Sequence, residues 1–225
     1  MFEVVILIAS PALMQDEFDI LLTFVDPEKR ERIKRFRFFR DASNALLGDI
    51  LARIEICRVT GLINKQLEFS ANAYGKPFLK NNTHIHYNIS HAGHYVALAI
   101  SNQPVGIDIE VIKHIDLKIA ERFFAPDEAI YVLSMQDDSH TQRFFEVWTK
   151  KESRIKWEGR GLSKELPSFS VFDLGEQETV FYHQVFRNSE AICYLCSNNS
   201  NKPSIRVINT VMLMQYAKCI EHIEN

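Results

Sequence analysis

Residues 2–9 read Phe-Glu-Val-Val-Ile-Leu-Ile-Ala, a short and nearly unbroken apolar run that predicts a first strand. Asp26-Pro27-Glu28 has the marks of a helix start: Asp at the N-cap, Pro at the first helical position, and an acid near the positive end of the helix dipole. Asp41-Ala42-Ser43 offers a second start, and the apolar residues of 45–54 recur at helical spacing, which predicts a central buried helix. From Leu67 the rhythm shortens. Tyr74-Gly75-Lys76-Pro77 reads as a turn and residues 85–89 as a strand. Residues 95–100 and 105–111 read as two more strands, which the turn-like Ser101-Asn102-Gln103-Pro104 would join as a hairpin. Helical segments follow around 117–124, 126–134 and 141–157, the last ended by Gly159-Arg160-Gly161. Residues 169–172, 179–186, 191–196 and 205–214 predict strands, with 197–203 as a polar loop.

Helix, strands, helix, strands in that order gives an α+β fold and not a repeating parallel βαβ design. The 225 residues suit one large domain or two small lobes, and a two-lobe seam falls near Gln103, dividing 1–102 from 103–225. With 46% hydrophobic residues, sixteen Phe, eight Gly and seven Pro, the chain can bury a sizeable core. Its net charge of -3 argues against wrapping nucleic acid. The N-terminal apolar run lacks the Lys/Arg flank of a signal peptide, and no stretch approaches the roughly 18 apolar residues of a membrane span. Cytoplasmic residence is expected. Four scattered cysteines fit a reducing compartment, and the odd spacing of Cys193-Tyr-Leu-Cys196 sends those two thiols to opposite faces of a strand.

Chemistry concentrates in four places. In Gly106-Ile107-Asp108-Ile109-Glu110-Val111, strand alternation turns the three aliphatic residues to the core and sets Asp108 and Glu110 on the other face. Two such acids repel unless a cation lies between them, and Mg²⁺ suits a site of one or two carboxylates that also takes substrate phosphates. Solvated acids on a half-exposed edge strand would look the same. In the helix of 144–156, Phe144, Phe145 and Ile155 fall within about 60° of Trp148 on the wheel, and Glu152 falls at about 40°, inside that apolar arc. Lys156 lies at its edge. A surface Glu-to-Lys pair at i,i+4 is the ordinary alternative, but an acid among aromatics is better explained by a cation or substrate. Lys29, Arg30, Arg32, Lys34, Arg35, Arg37 and Arg40 make a basic helix that is either a solvated face or a phosphate-binding one. Four histidines occur at 84, 86, 91 and 94, with His91 following Asn88 and Ser90 at a strand end, where it suits a phosphate or ribose.

Together these segments resemble the 4'-phosphopantetheinyl transferases of the larger Sfp type that activates peptide synthetases. That family is marked by G-[IV]-D-[IV]-E and W-[ST]-x-K-E-[SA]-x-x-K about forty residues apart. Gly106 to Glu110 and Trp148 to Lys156 match both, and Pro27 to Glu31, Tyr74 to Pro77 and Asn88 to His91 match three further segments. The resemblance implies two pseudo-two-fold-related lobes, each with a small antiparallel sheet packed on helices, acting as a monomer with coenzyme A between them. It implies Asp108, Glu110 and Glu152 as Mg²⁺ ligands, with Asp108, Glu152 and Lys156 catalytic. Lys156 would contact the phosphates, Lys29, Arg32 and His91 would hold the 3'-phosphate, and Lys76 and Ser90 would lie along the adenosine. The partner implied is an apo peptidyl or acyl carrier protein, with no nucleic acid and no membrane. One departure stands out: many relatives have Thr where this chain has Ala45, so Asn44 would serve instead. A non-catalytic coenzyme A or nucleotide-binding module is the second reading.

Overall fold

The N-terminal apolar run becomes β1 (Phe2–Ile8), in which Val4 to Leu7 are wholly buried. Burial on both faces explains its unbroken pattern, since each such side chain contributes about 1.5–3 kcal/mol when removed from water. The structure is a computed structural model and describes residues 1–134, 139–161, 165–173 and 179–220. After β1 come α1 (Gln15–Leu22), α2 (Pro27–Lys34), α3 (Phe39–Thr60), β2 (Phe69–Ala71), β3 (Pro77–Leu79), β4 (His86–Ala92), β5 (Tyr95–Ser101) and β6 (Val105–Val111). The chain continues as α4 (Lys118–Phe123), α5 (Pro126–Leu133), α6 (His140–Glu158), β7 (Phe181–Arg187), β8 (Ala191–Ser197), β9 (Ser204–Asn209) and α7 (Thr210–Cys219). The α+β class holds.

Three sheets form. One has the order β4-β5-β1-β9, another β6-β8-β7, and β2 pairs with β3 alone. One face of the first sheet packs Val5, Leu7, Leu98 and Ile100 against α1, α3 and α7. Its other face meets the second sheet through Val4, Ile6, Ala97, Ile107, Ile109 and Leu195. The outer face of the second sheet packs Ile192 and Tyr194 against Phe124, Phe144 and Phe145. The result is helices, sheet, sheet, helices in four layers.

Several sequence expectations change in this context. Residues 95–101 and 105–111 do not pair as a hairpin: β5 lies between β4 and β1, while β6 crosses to the second sheet and pairs with β8. Local turn chemistry at 101–104 cannot distinguish a hairpin from a crossover. The first sheet is not wholly antiparallel, because β9 runs parallel to β1. The strand expected over 205–214 stops at Asn209, whose side chain caps α7 by accepting from the Met212 amide at 3.0 Å. Residues 204–220 therefore pack with the first sheet and α3, and Arg206 binds the buried Glu55 of α3. Residues 169–172 form no strand.

Two buried ionic clusters place the helices that matter. Arg53 of α3, only 2% exposed, binds Asp49, Asn64 and Asp26. Asp26 occupies the N-cap position of α2 but bonds Arg53 and not the helix amides, so it orients the helix through tertiary contact. On α6, Lys151 forms a fully buried pair with Glu128 at 2.6 Å and donates to the Phe169 carbonyl. Glu128 accepts the amides of Ala125 and Val171. Lys151→Met leaves that carboxylate buried and unpaired, so urea unfolding of the variant is expected to show a loss of about 3–5 kcal/mol. A loss under about 1 kcal/mol would contradict this account.

Candidate active site

The edge of the second sheet meets the first along β4. β6 is an edge strand, and its outer amides are buried, so they need acceptors. Asn88 and Ser90 lie two residues apart on β4 and therefore share a face. Asn88 Oδ1 accepts from the Ile107 amide at 2.8 Å, and Ser90 Oγ accepts from the Ile109 amide at 3.3 Å. Two side chains thus replace a missing ladder.

Ser90 also donates to Asp108 Oδ1 at 2.9 Å and accepts from Lys156 Nζ at 2.9 Å. Its one proton and both lone pairs are committed inside the protein. Lys156 Nζ donates directly to Asp108 Oδ1 at 2.6 Å. Asp108 is 3% exposed, far deeper than a half-exposed edge strand would place it. Its other oxygen, Oδ2, is buried with no hydrogen-bond partner among the described residues.

Gly106 explains how α6 comes so close. A Cβ at this position would collide with the Ser153 carbonyl oxygen and the Trp157 amide nitrogen, both backbone atoms of α6. The face of β6 that carries Asp108 and Glu110 thus lies against the helix that carries Glu152 and Lys156. Glu110 accepts from Trp148 Nε1 at 3.2 Å. Burial, then the charge of Asp108, pushes the Glu110 carboxyl up to about 7. Burial, then Asp108, likewise raises Glu152, against the pull of Lys156. Asp108 itself is raised by burial, with Lys156 and Ser90 opposing.

Three carboxylates raised by burial, two of them further by the charge of Asp108 and one with an orphaned buried oxygen, provide the hard oxygen donors that suit a divalent cation. They are not a closed ligand set: among the described residues no three His, Cys, Asp or Glu side chains are gathered around one point. Lys156 and Trp148 hold two of the three acids in its place.

The phosphate-binding candidates are more dispersed. Lys29 pairs with Asp49 at 3.0 Å, whose carboxyl Arg53 and Lys29 hold below its usual range despite burial. Arg32 is exposed on α2. His91 is driven toward its neutral form by desolvation, then by Lys156, with its backbone bond, Asp41 and Asp108 opposing. Among the described residues no hydrogen bond or ion pair joins Lys29, Arg32 and His91. Asn44, buried, donates to the Gly93 carbonyl at 3.0 Å. Lys76 donates to the carbonyls of Val105, Lys156 and Trp157, which takes all three ammonium protons. A cavity of about 510 Å³ lies elsewhere, between the last turns of α3 and α7. Sequence reasoning missed Asn88 as an edge-strand acceptor and Trp148 as the partner of Glu110. The even spacing of Asn88 and Ser90 was the available signal for the first.

Acidic side chains on an edge strand, faced by a lysine from a neighbouring helix, are the arrangement expected of an enzyme that handles charged groups. The comparisons make it specific. Residues 11–103 match the family "4'-phosphopantetheinyl transferase, N-terminal" and residues 104–208 the "4'-phosphopantetheinyl transferase superfamily". The chain is 46% identical to 4'-phosphopantetheinyl transferase ffp of Bacillus subtilis over 71% of each chain. It is 45% identical to 4'-phosphopantetheinyl transferase Sfp of Bacillus subtilis (strain 168), again over 71% of each. With 4'-phosphopantetheinyl transferase gsp of Aneurinibacillus migulanus it shares 43% identity over 74% of this chain and 69% of the relative. The chain belongs to the 4'-phosphopantetheinyl transferase superfamily and is an enzyme of the Sfp type.

Gly106→Ala forces β6 and α6 apart. A stability loss of about 1–3 kcal/mol and a roughly hundredfold loss of transfer rate are expected in unfolding and turnover measurements. The Glu110 carboxyl supplies a pH signature. Between its ordinary 4.5 and about 7 the folded protein keeps a proton that the unfolded chain has released, so this group lowers stability as pH rises through that window. In metal-free protein, the stability of Glu110→Gln relative to wild type should therefore increase between pH 5 and pH 7 and then level off. Parallel stability curves would contradict the burial of this acid.

Proposed function

We propose that the enzyme takes coenzyme A as donor and moves its 4'-phosphopantetheine to a serine of an apo peptidyl or acyl carrier protein, releasing 3',5'-ADP. Mg²⁺ would be held by Asp108, Glu110 and Glu152, and the observation that carries this is the buried Asp108 Oδ2, without a hydrogen-bond partner among the described residues, beside two carboxylates that burial and Asp108 raise. When bound, the cation supplies charge neutralisation on the pyrophosphate.

The chain's own residues do the rest. Glu152, half-buried and with its basicity raised, takes the proton of the attacking serine. Lys156 is anchored to Asp108 and Ser90 and faces the charge that grows on the leaving nucleotide phosphate. Lys29, Arg32 and His91 hold the 3'-phosphate. Every one of these groups comes from one chain, so a monomer suffices. Three buried free cysteines and one exposed free cysteine are in keeping with a reducing cytoplasm. Among the described residues no helix is long and apolar enough to cross a membrane.

Incubation with coenzyme A, Mg²⁺ and several apo carriers should add one phosphopantetheine to a carrier by mass, and chelation of the metal should abolish the gain. No gain on any carrier would overturn the reading. Glu152→Gln is expected to lower turnover by roughly 10²–10⁴-fold. Should it bind Mg²⁺ normally, the base role stands apart from metal ligation.

A further inference from the structure

Lys76 lies in the turn between β2 and β3, where Asn72 Oδ1 accepts both the Tyr74 and the Lys76 amides at 2.9 Å. That turn projects onto the place where β6 begins and α6 ends. Lys76 Nζ donates to the carbonyls of Val105 at 3.0 Å, Lys156 at 2.6 Å and Trp157 at 3.3 Å. Beside it, Asn72 Nδ2 donates to the Gly159 carbonyl at 2.8 Å. The last carbonyls of a helix lack partners within it, and the negative end of its dipole favours a cation, so an ammonium is well suited to this position. Val105 opens the strand that carries Asp108 and Glu110, and Lys156 belongs to the helix that carries Glu152. One side chain from the β2–β3 unit therefore ties together the two elements whose relative placement makes the site.

We infer that Lys76 is a positioning residue for the transfer reaction: it locks the end of α6 to the start of β6, and its ammonium does not bind the donor's adenosine. The inference rests on coenzyme A being the donor. Lys76→Met keeps the aliphatic stem and removes the three donors. Two quantities separate the roles: kcat for transfer from saturating coenzyme A, and the affinity and stoichiometry of 3',5'-ADP by titration calorimetry. Positioning predicts a roughly ten- to hundredfold fall in kcat, with nucleotide affinity and stoichiometry as in wild type. Weakened nucleotide affinity, with or without a change in kcat, overturns the inference, and so does an unchanged kcat. Should Lys76→Met not hold its fold, Lys76→Gln, which keeps two donor protons on a shorter stem, is read by the same criteria with a smaller loss. Wild-type protein that fails to transfer from coenzyme A would instead overturn the proposed function, so the two failures are distinguishable.

Discussion

A buried edge strand is the constraint on which the rest of this molecule depends. Among the described residues β6 has a ladder partner on one side only, yet Ile107 and Ile109 are in the core, so its outer amides cannot turn to water. Asn88 and Ser90 meet that need from β4. Because the Ser90 hydroxyl still has a proton and a second lone pair, it also joins Asp108 and Lys156. The contact that holds the two sheets together and the network that holds the carboxylates are thus one set of hydrogen bonds.

The charges at this seam are unbalanced by design of the fold. Three carboxylates share the nearby Lys156, and burial makes each of them resist ionisation. Leaving a buried acid oxygen without a partner costs stability, and a protein keeps such a cost where a ligand relieves it. The surrounding structure must withstand that strain. It does so with the layered aromatic core against α6 and with the fully buried Lys151–Glu128 pair, which fixes the helix along its length.

Part of this was legible in the chain. Strand alternation put Asp108 and Glu110 on one face and Ile107 and Ile109 on the other, and the structure agrees. The end of α6 at Gly159, where φ is positive, was equally readable. The depth of Asp108 was not, because a D-x-E strand reads the same whether its polar face meets water or a helix. The Gly of that motif held the missing clue: with no side chain, it marks a backbone approach that only another element can make. The internal bonds of Lys76 and Ser90 were hidden for a related reason. A lysine in a turn and a serine at a strand end look available for a ligand, yet here neighbouring carbonyls, an amide and two charged side chains occupy them.

The sequence by itself determined the α+β class, most of the helices and strands, and the shared face of Asp108 and Glu110, because periodicity and residue chemistry are local properties. Tertiary structure alone decided that β5 and β6 part company, that β9 and α7 return to the first sheet, and that Lys76 joins the start of β6 to the end of α6. Those choices depend on which surfaces and which backbone groups still need burial or a partner once the layers stack. No stretch of the chain carries that information alone.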